Sequence, residues 1–272
     1  MPGTLTVYRW ELRKLVSQKR TYLGLAAAAL VPIIFVVALA LQSGSPNDVA
    51  FGRYVRQSGL AIPLVLLLFA SVWLFPLITA LVAGDIIASE SHNGTLKTIL
   101  TRSLDRGEVF AGKLFAASTY ALLALVTMGG VALVAGTIES GFNPVTGLSG
   151  QPVSAVHGLE LVGASFAVYL MPIAAVVCIG VLLSALFRNS AAAVVGTLMS
   201  CLMMQLIGIL PGLGGLNPYL LTTQFEAWQG FFRMPVDWQP IVRAAWVCAL
   251  YALPALVVGY LTFLRRDVDS DG

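Results

Sequence analysis

The sequence reads as an all-α membrane protein: six transmembrane helices, an N-terminal amphipathic surface helix, and both termini cytoplasmic. Three observations predict this. Of 272 residues, 58% are hydrophobic and 11% charged, and the mean hydropathy is +0.86, whereas a soluble domain carries about 25% charge. Apolar runs recur along the chain, each near the ~20 residues that a helix needs to cross hydrocarbon. Lys and Arg fall unevenly between the two sides of those runs, 12 against 4, and the richer side is cytoplasmic.

The runs are 22–41, 60–83, 114–138, 159–187, 191–210 and 241–264. Helices are expected because backbone polar groups inside lipid must be satisfied within each segment, and the alternation of barrel strands is absent. The basic start, the first run and Ala38-Leu39-Ala40 imitate a cleavable signal. A signal's apolar core is about 7–15 residues, and this run is longer, so it reads as a retained helix. Arg9, Arg13, Lys14, Lys19 and Arg20 precede the first run, and Lys97, Arg102, Arg106 and Lys113 lie between the second and third. Arg188, Arg265 and Arg266 share that side, and Arg53, Arg56, Arg233 and Arg243 take the other.

The apolar segments leave no stretch polar enough for a separate soluble domain, so residues 1–272 are expected to form a single transmembrane domain without a fused ATPase, kinase or DNA-binding module. A net charge of +3 gives no expectation of a nucleic-acid partner. Cys178, Cys201 and Cys248 lie inside apolar runs without metal spacing and read as small buried hydrophobes. Pro32, Pro63, Pro76, Pro172 and Pro254 fall within spans and are expected to kink them.

Residues 4–20 predict the surface helix. Leu5, Tyr8, Leu12, Leu15 and Val16 share one face at helical spacing, Arg9, Arg13 and Lys14 lie off it, and Val7 and Trp10 interrupt the polar side. Such a helix lies along the cytoplasmic surface of the membrane.

The cytoplasmic loop 84–113 is the most informative segment. Asn93-Gly94 signals a turn, Thr95 can cap a short helix, and Leu96, Ile99, Leu100 and Leu104 fall on one face of it. That face suits either a groove on another protein or the ends of the chain's own helices. The run Glu90-x-x-x-Gly94-Thr95-Leu96, followed by Arg106 and by Lys113 entering a helix, resembles the ABC type-2 exporter permeases. Leu216-Asn217-Pro218-Tyr219 is similar to that family's Asn/Ser-Pro stretch between its last two helices. The resemblance covers nearly the whole topology. It departs at Ser103 and Asp105, where the family often has Pro and then Ser or Thr.

The resemblance implies that the 84–113 loop is a coupling element docking on a separate ATPase subunit. Its coupling residues would be Glu90, Gly94, Thr95, Leu96, Ile99, Leu100, Arg102 and Arg106. It also implies two ATPase copies, a second permease copy or a homologous permease, surrounding membrane lipid, and a plasma-membrane location. No cofactor is expected in this chain; ATP and Mg would bind the partner ATPase.

The 211–240 loop, expected outside the cell, carries Tyr219, Phe225, Trp228, Phe231, Phe232 and Trp238. These suit an interfacial aromatic belt or, as the resemblance implies, short helices capping an exit path. Gly107-x-x-x-x-Gly112-Lys113 nearly matches a phosphate-binding loop, but Leu114 stands where Ser or Thr would hold Mg²⁺. Asn93-Gly94-Thr95 fits a glycosylation acceptor but is expected in the cytoplasm. His92 and His157 fall on opposite sides of the membrane and are not expected to share a metal.

The spans hold almost no ionisable residue away from their ends. A charge at mid-span costs about 2.5–3.5 kcal/mol on insertion scales and usually marks an ion relay. Gln205 is the most polar mid-span residue and is expected to make a helix–helix hydrogen bond. Asp85 and Glu160 read as helix-end residues in contact with water. With no internal relay, the work is expected to come from a docked ATPase. The chain would then be the permease subunit of an ATP-driven exporter moving an amphipathic or lipophilic cargo by alternating access. The alternative is an ATP-independent carrier or channel.

Overall fold

The computed structural model describes residues 2–42, 44, 49–92, 105–210, 212 and 214–265. Helix α1 covers Pro2–Val16, and Ser17 and Gln18 link it to α2, Lys19–Leu41. A 3-10 turn at Gly52–Tyr54 precedes α3, Ala61–Phe69. A π turn at Ala70–Leu74 joins α3 to α4, Phe75–Ala83, and α5 covers Ala88–His92. Then come α6, Arg106–Ser140; α7, Ala155–Leu186; α8, Ser190–Ile209; and α9, Gln239–Arg265.

Helix starts follow local chemistry. Asp105, Ser154 and Asn189 cap α6, α7 and α8 by accepting from backbone N–H groups that have no partner within the helix. Among the described residues, α2, α6, α7, α8 and α9 are the five helices long and apolar enough to cross a membrane. The remaining expected span, 60–83, is helical over Ala61–Ala83 but passes through the π turn, where Phe75 N–H donates to Ala70 C=O. Pro76, which has no N–H to give, follows at once; this is a usual setting for a local change of helical register.

Helix α7 is the centre of the bundle: 56% of its apolar window is buried, against 22% for α2 and 17% for α8. It packs on α9 most extensively and also on α4, α6 and α8, while α6 carries α1 and α2. Where α1 crosses α6, a Cβ on Gly112 would stand 2.7 Å from Val7 Cγ1, so only glycine allows this approach.

The expected polarity of α1 shifts. Val7, expected on the polar side, is buried against the bundle with Leu15 and Glu11, while Leu5 and Val16 of the expected apolar face are exposed. The helix has two apolar sides, one against protein and one facing out.

At the end opposite Gly84, Ser140 Oγ donates to Val55 C=O (2.6 Å), Ser58 Oγ donates to Asn143 C=O (2.7 Å), and Gly59 N–H donates to Gly141 C=O (3.0 Å). A short antiparallel pair, β1 Val145–Thr146 with β2 Pro152–Val153, leads into α7. The aromatic segment forms 3-10 turns at Asn217–Tyr219 and Thr222–Phe232. Phe225, Trp228 and Phe232 are buried in the core, whereas Tyr219 and Trp238 are exposed. An interfacial belt therefore accounts for only part of this segment. Phe51 reaches both Trp228 (5.9 Å, stacked) and Phe232 (4.9 Å, edge-on), and Tyr169 joins Phe75 to Phe225.

Cys178, Cys201 and Cys248 are buried and unbridged. Gln205 is half-buried, and its side chain makes no hydrogen bond to a described residue, so the expected helix–helix bond is not made within the bundle.

Candidate functional site

The 84–92 segment leaves α4 and leads into residues 93–104. It is gripped from five helices. Gly84 lets it begin close to the bundle: a Cβ there would stand 2.9 Å from Val194 Cα of α8. Asp85 is 1% exposed and does not contact water as the sequence suggests. Its carboxylate pairs with Arg20 of α2 and accepts from Ser190 Oγ of α8. The reason is tertiary: the starts of α2 and α8 converge on the end of α4 and offer donors that exclude solvent.

Ser184 of α7 closes the next step. Its Oγ accepts from both Ile87 N–H and Ala88 N–H at 2.9 Å. These are donors at the start of α5 that a short helix cannot satisfy itself. Ile86 C=O accepts from Lys113 Nζ at 3.1 Å.

Glu90 completes an ionic quartet in which Glu11, Glu90 and Lys113 are buried and Lys14 is half-buried. One carboxylate oxygen receives Lys14 Nζ at 2.5 Å, and the other lies 2.7 Å from Lys113 Nζ. Lys113 also donates to Glu11 at 2.6 Å, and Lys14 lies 3.9 Å from the other Glu11 oxygen. Two acids and two bases leave the group formally neutral, which lets charges stay ionised out of water. Burial by itself would raise the Glu90 carboxyl, but the ammonium groups of Lys113 and Lys14 outweigh it and hold it below its ordinary 4.5. Lys113 is fully buried; it donates to Glu11 and Ile86 C=O and forms an ion pair with Glu90.

Of the residues expected to serve coupling, Glu90 sits in this quartet. Arg106, at the other edge of the loop, donates to Leu264 C=O at 2.6 Å, tying the start of α6 to the end of α9. Gly94, Thr95, Leu96, Ile99, Leu100 and Arg102 lie outside the described residues, as does the short helix expected over them. The clamp brings in Glu11, Ser184 and Ser190, which sequence reasoning passed over, and gives Asp85 and Lys113 buried partners that it did not foresee. A signal for Glu11 was present. It lies one turn from both Val7 and Leu15, an acid in the middle of a packing face. Lys113 likewise immediately precedes an apolar run.

The opposite end holds a cavity of about 170 Å³ lined by Thr223, Gln224, Glu226, Gln229, Arg233 and Arg243, among others. Glu226 keeps an exposed side; partial desolvation by the cavity wall pushes its carboxyl up, and its hydrogen bond from Gln229 opposes this. The cavity is small beside the ~300–1,000 Å³ of sites for drug-sized ligands. Glu160, by contrast with Asp85, is exposed and pairs with His157 at 3.1 Å.

The sequence profile of the family described as ABC-2 family transporter protein matches residues 8–205. The chain belongs to this family. It is a multi-pass transmembrane permease of the ABC transporter class, and membership implies association with an ABC ATPase. No curated protein matches the permease. Every clamp residue, from Glu11 to Ser190, lies inside the matched region, and the aromatic 3-10 segment from Asn217 onward lies beyond it.

Proposed function

We propose that this permease is the membrane subunit of an ATP-driven exporter in the plasma membrane. It crosses the bilayer six times, with Ala61–Ala83 as the second span, and both termini are cytoplasmic. A separate ATPase, present in two copies with its ATP and Mg, docks on residues 93–104 through Leu96, Ile99 and Leu100. Glu90, Gly94, Thr95, Arg102 and Arg106 complete the set of coupling residues. The observation that carries the reading is the clamp on 84–90. A loop that only connects α4 to α6 has no need of contacts from four further helices, whereas one that passes force into the bundle needs a rigid root. Closure of the ATPase pair pulls the loop, and the clamp moves α1, α2, α6, α7 and α8 with it.

The transport path lies between two permease copies, or between this chain and a homologous one. Helix α8 supports this, because it is the least buried span and carries Gln205 with no described partner. A facing subunit supplies a hydrogen bond that lipid cannot. The apolar character of the spans suits an amphipathic or lipophilic cargo, and the outward direction rests on the resemblance to exporter permeases. The alternative, an ATP-independent carrier or channel, has no comparable support. Among the described residues, the buried ionic groups sit in α1, in the 84–90 segment or near the start of α6, and not at mid-span.

The test is co-purification of ATPase activity with the tagged chain from its own host. The Leu96→Asp, Leu100→Asp double variant should fold and lose the ATPase. A well-folded native chain that brings down no ATPase overturns the proposal.

A further inference from the structure

Helix α1 and the link after it divide their cations between two directions. Lys14 turns inward to Glu90 and Glu11, and Arg20 turns inward to Asp85. Arg9, Arg13 and Lys19 are exposed, and their side chains form no ion pair or hydrogen bond with a described residue. The single acid of α1 is Glu11, which is buried. The outward side of α1 therefore presents positive charge with no acid to balance it.

That side is also apolar. Leu5 and Val16 are 50% and 61% exposed, and Arg9 and Arg13, one turn apart, lie beside them. Apolar side chains flanking paired cations are complementary to a membrane surface that carries anionic headgroups.

Chain reach decides between a lipid surface and a soluble partner. Two residues, Ser17 and Gln18, join α1 to α2, and each residue spans at most about 3.6 Å. Helix α2 is an apolar span whose Tyr22 and Leu23 are already exposed in its first turn. Once α2 enters hydrocarbon, α1 is held in the headgroup layer beside it.

The inward side of the same helix is part of the clamp. Val7 sits on Gly112, and Glu11 and Lys14 bind Lys113 and Glu90. A change in the depth or tilt of α1 displaces two of the four charges of the quartet to which Glu90 belongs.

We infer that α1 senses anionic lipid: Arg9 and Arg13 take headgroup phosphates of the cytoplasmic leaflet, and Glu11 and Lys14 carry the helix's position to Glu90. The sensing half stands on α1 alone. The transmission half rests on the ATPase-coupling reading above.

The experiment uses the full chain with its ATPase, reconstituted in nanodiscs of phosphatidylcholine or of phosphatidylcholine mixed with phosphatidylglycerol. An environment-sensitive fluorophore on Val16→Cys reports depth, the three native cysteines being buried. The expected result is a blue shift in the mixed lipid that high salt reverses, together with a severalfold change in ATP hydrolysis. The Arg9→Gln, Arg13→Gln variant should lose both responses while hydrolysing ATP at the native rate in phosphatidylcholine. An identical signal in both lipids, or a variant that keeps the response, overturns the sensor. A shift that follows addition of the ATPase instead of phosphatidylglycerol assigns the face to the partner and also overturns it. A depth response without a change in hydrolysis overturns the transmission half. If no ATPase assembles, the coupling reading fails by itself, and the fluorophore still decides the lipid contact.

Discussion

The two ends of the bundle are held together by different physics. At the end where α2 and α6 begin, residues 84–90 are fastened by buried ions and hydrogen bonds to Glu11, Lys14, Arg20, Lys113, Ser184 and Ser190. At the other end, Phe51, Trp228 and Phe232 form one aromatic cluster, and Phe75, Tyr169 and Phe225 form another. Ions are directional and interdependent, so the loss of one strands the rest without water. Aromatic packing is governed by area and shape, and each ring contributes through what it covers. The ionic end roots the segment that leads into residues 93–104 and fixes a register. The aromatic end closes the bundle where the chain makes its long connection between Ile209 and Gln239.

Four changes separate the two modes. The largest effect is expected for Lys113→Met. It leaves Glu11 and Glu90 buried without their shared cation and should cost about 3–5 kcal/mol, read as a fall in apparent melting temperature in detergent. Adding Glu11→Gln and Glu90→Gln should recover part of the loss, because the stranded charges go with the cation. A triple variant no more stable than Lys113→Met alone would break the claim that stranded charge is the cause. Trp228→Ala comes next, at about 3 kcal/mol from the cavity left between Phe51 and Phe232. Combined with Lys113→Met it should be additive within about 0.5 kcal/mol, since the two ends share no partner. Strong coupling would mean that they are one unit.

Acid should weaken only the ionic end. Lys113 and Lys14 hold the Glu90 carboxyl below 4.5 in the fold. Its contribution is therefore fully present above that value and is lost as pH falls through the lower folded value. Melting in detergent between pH 7 and acid should fall more steeply for the native chain than for Glu90→Gln. Equal slopes would place the acid sensitivity elsewhere. The smallest effect belongs to Arg233→Ala. It removes an exposed pair with Asp237 at 3.2 Å and should change stability by less than about 1 kcal/mol.

The sequence made the class of protein plain, because lipid imposes a requirement that shows in composition. Helices long enough to cross must be apolar throughout, and the chain writes them as runs such as 22–41 and 159–187. The family likeness was legible in Glu90-x-x-x-Gly94-Thr95-Leu96, and the profile match to residues 8–205 bears it out. What lay hidden was the company Glu90 keeps. Glu11, Asp85 and Lys113 are separated along the chain by dozens of residues, and an isolated charge near a helix end reads as a solvated one.

Composition and charge asymmetry by themselves determined an all-α membrane protein whose basic loops share one side. Local chemistry at Asp105, Ser154 and Asn189 determined where helices start. The tertiary structure decided which charges are buried, because only the convergence of α1, α2, α6, α7 and α8 brings opposite charges within hydrogen-bond distance and shuts out water. It also decided that α1 has one face for protein and another free, since Gly112 admits Val7 at a distance that no larger residue would allow. Spans are dictated by the solvent and are written locally. Sites depend on which spans become neighbours, and that is settled by packing.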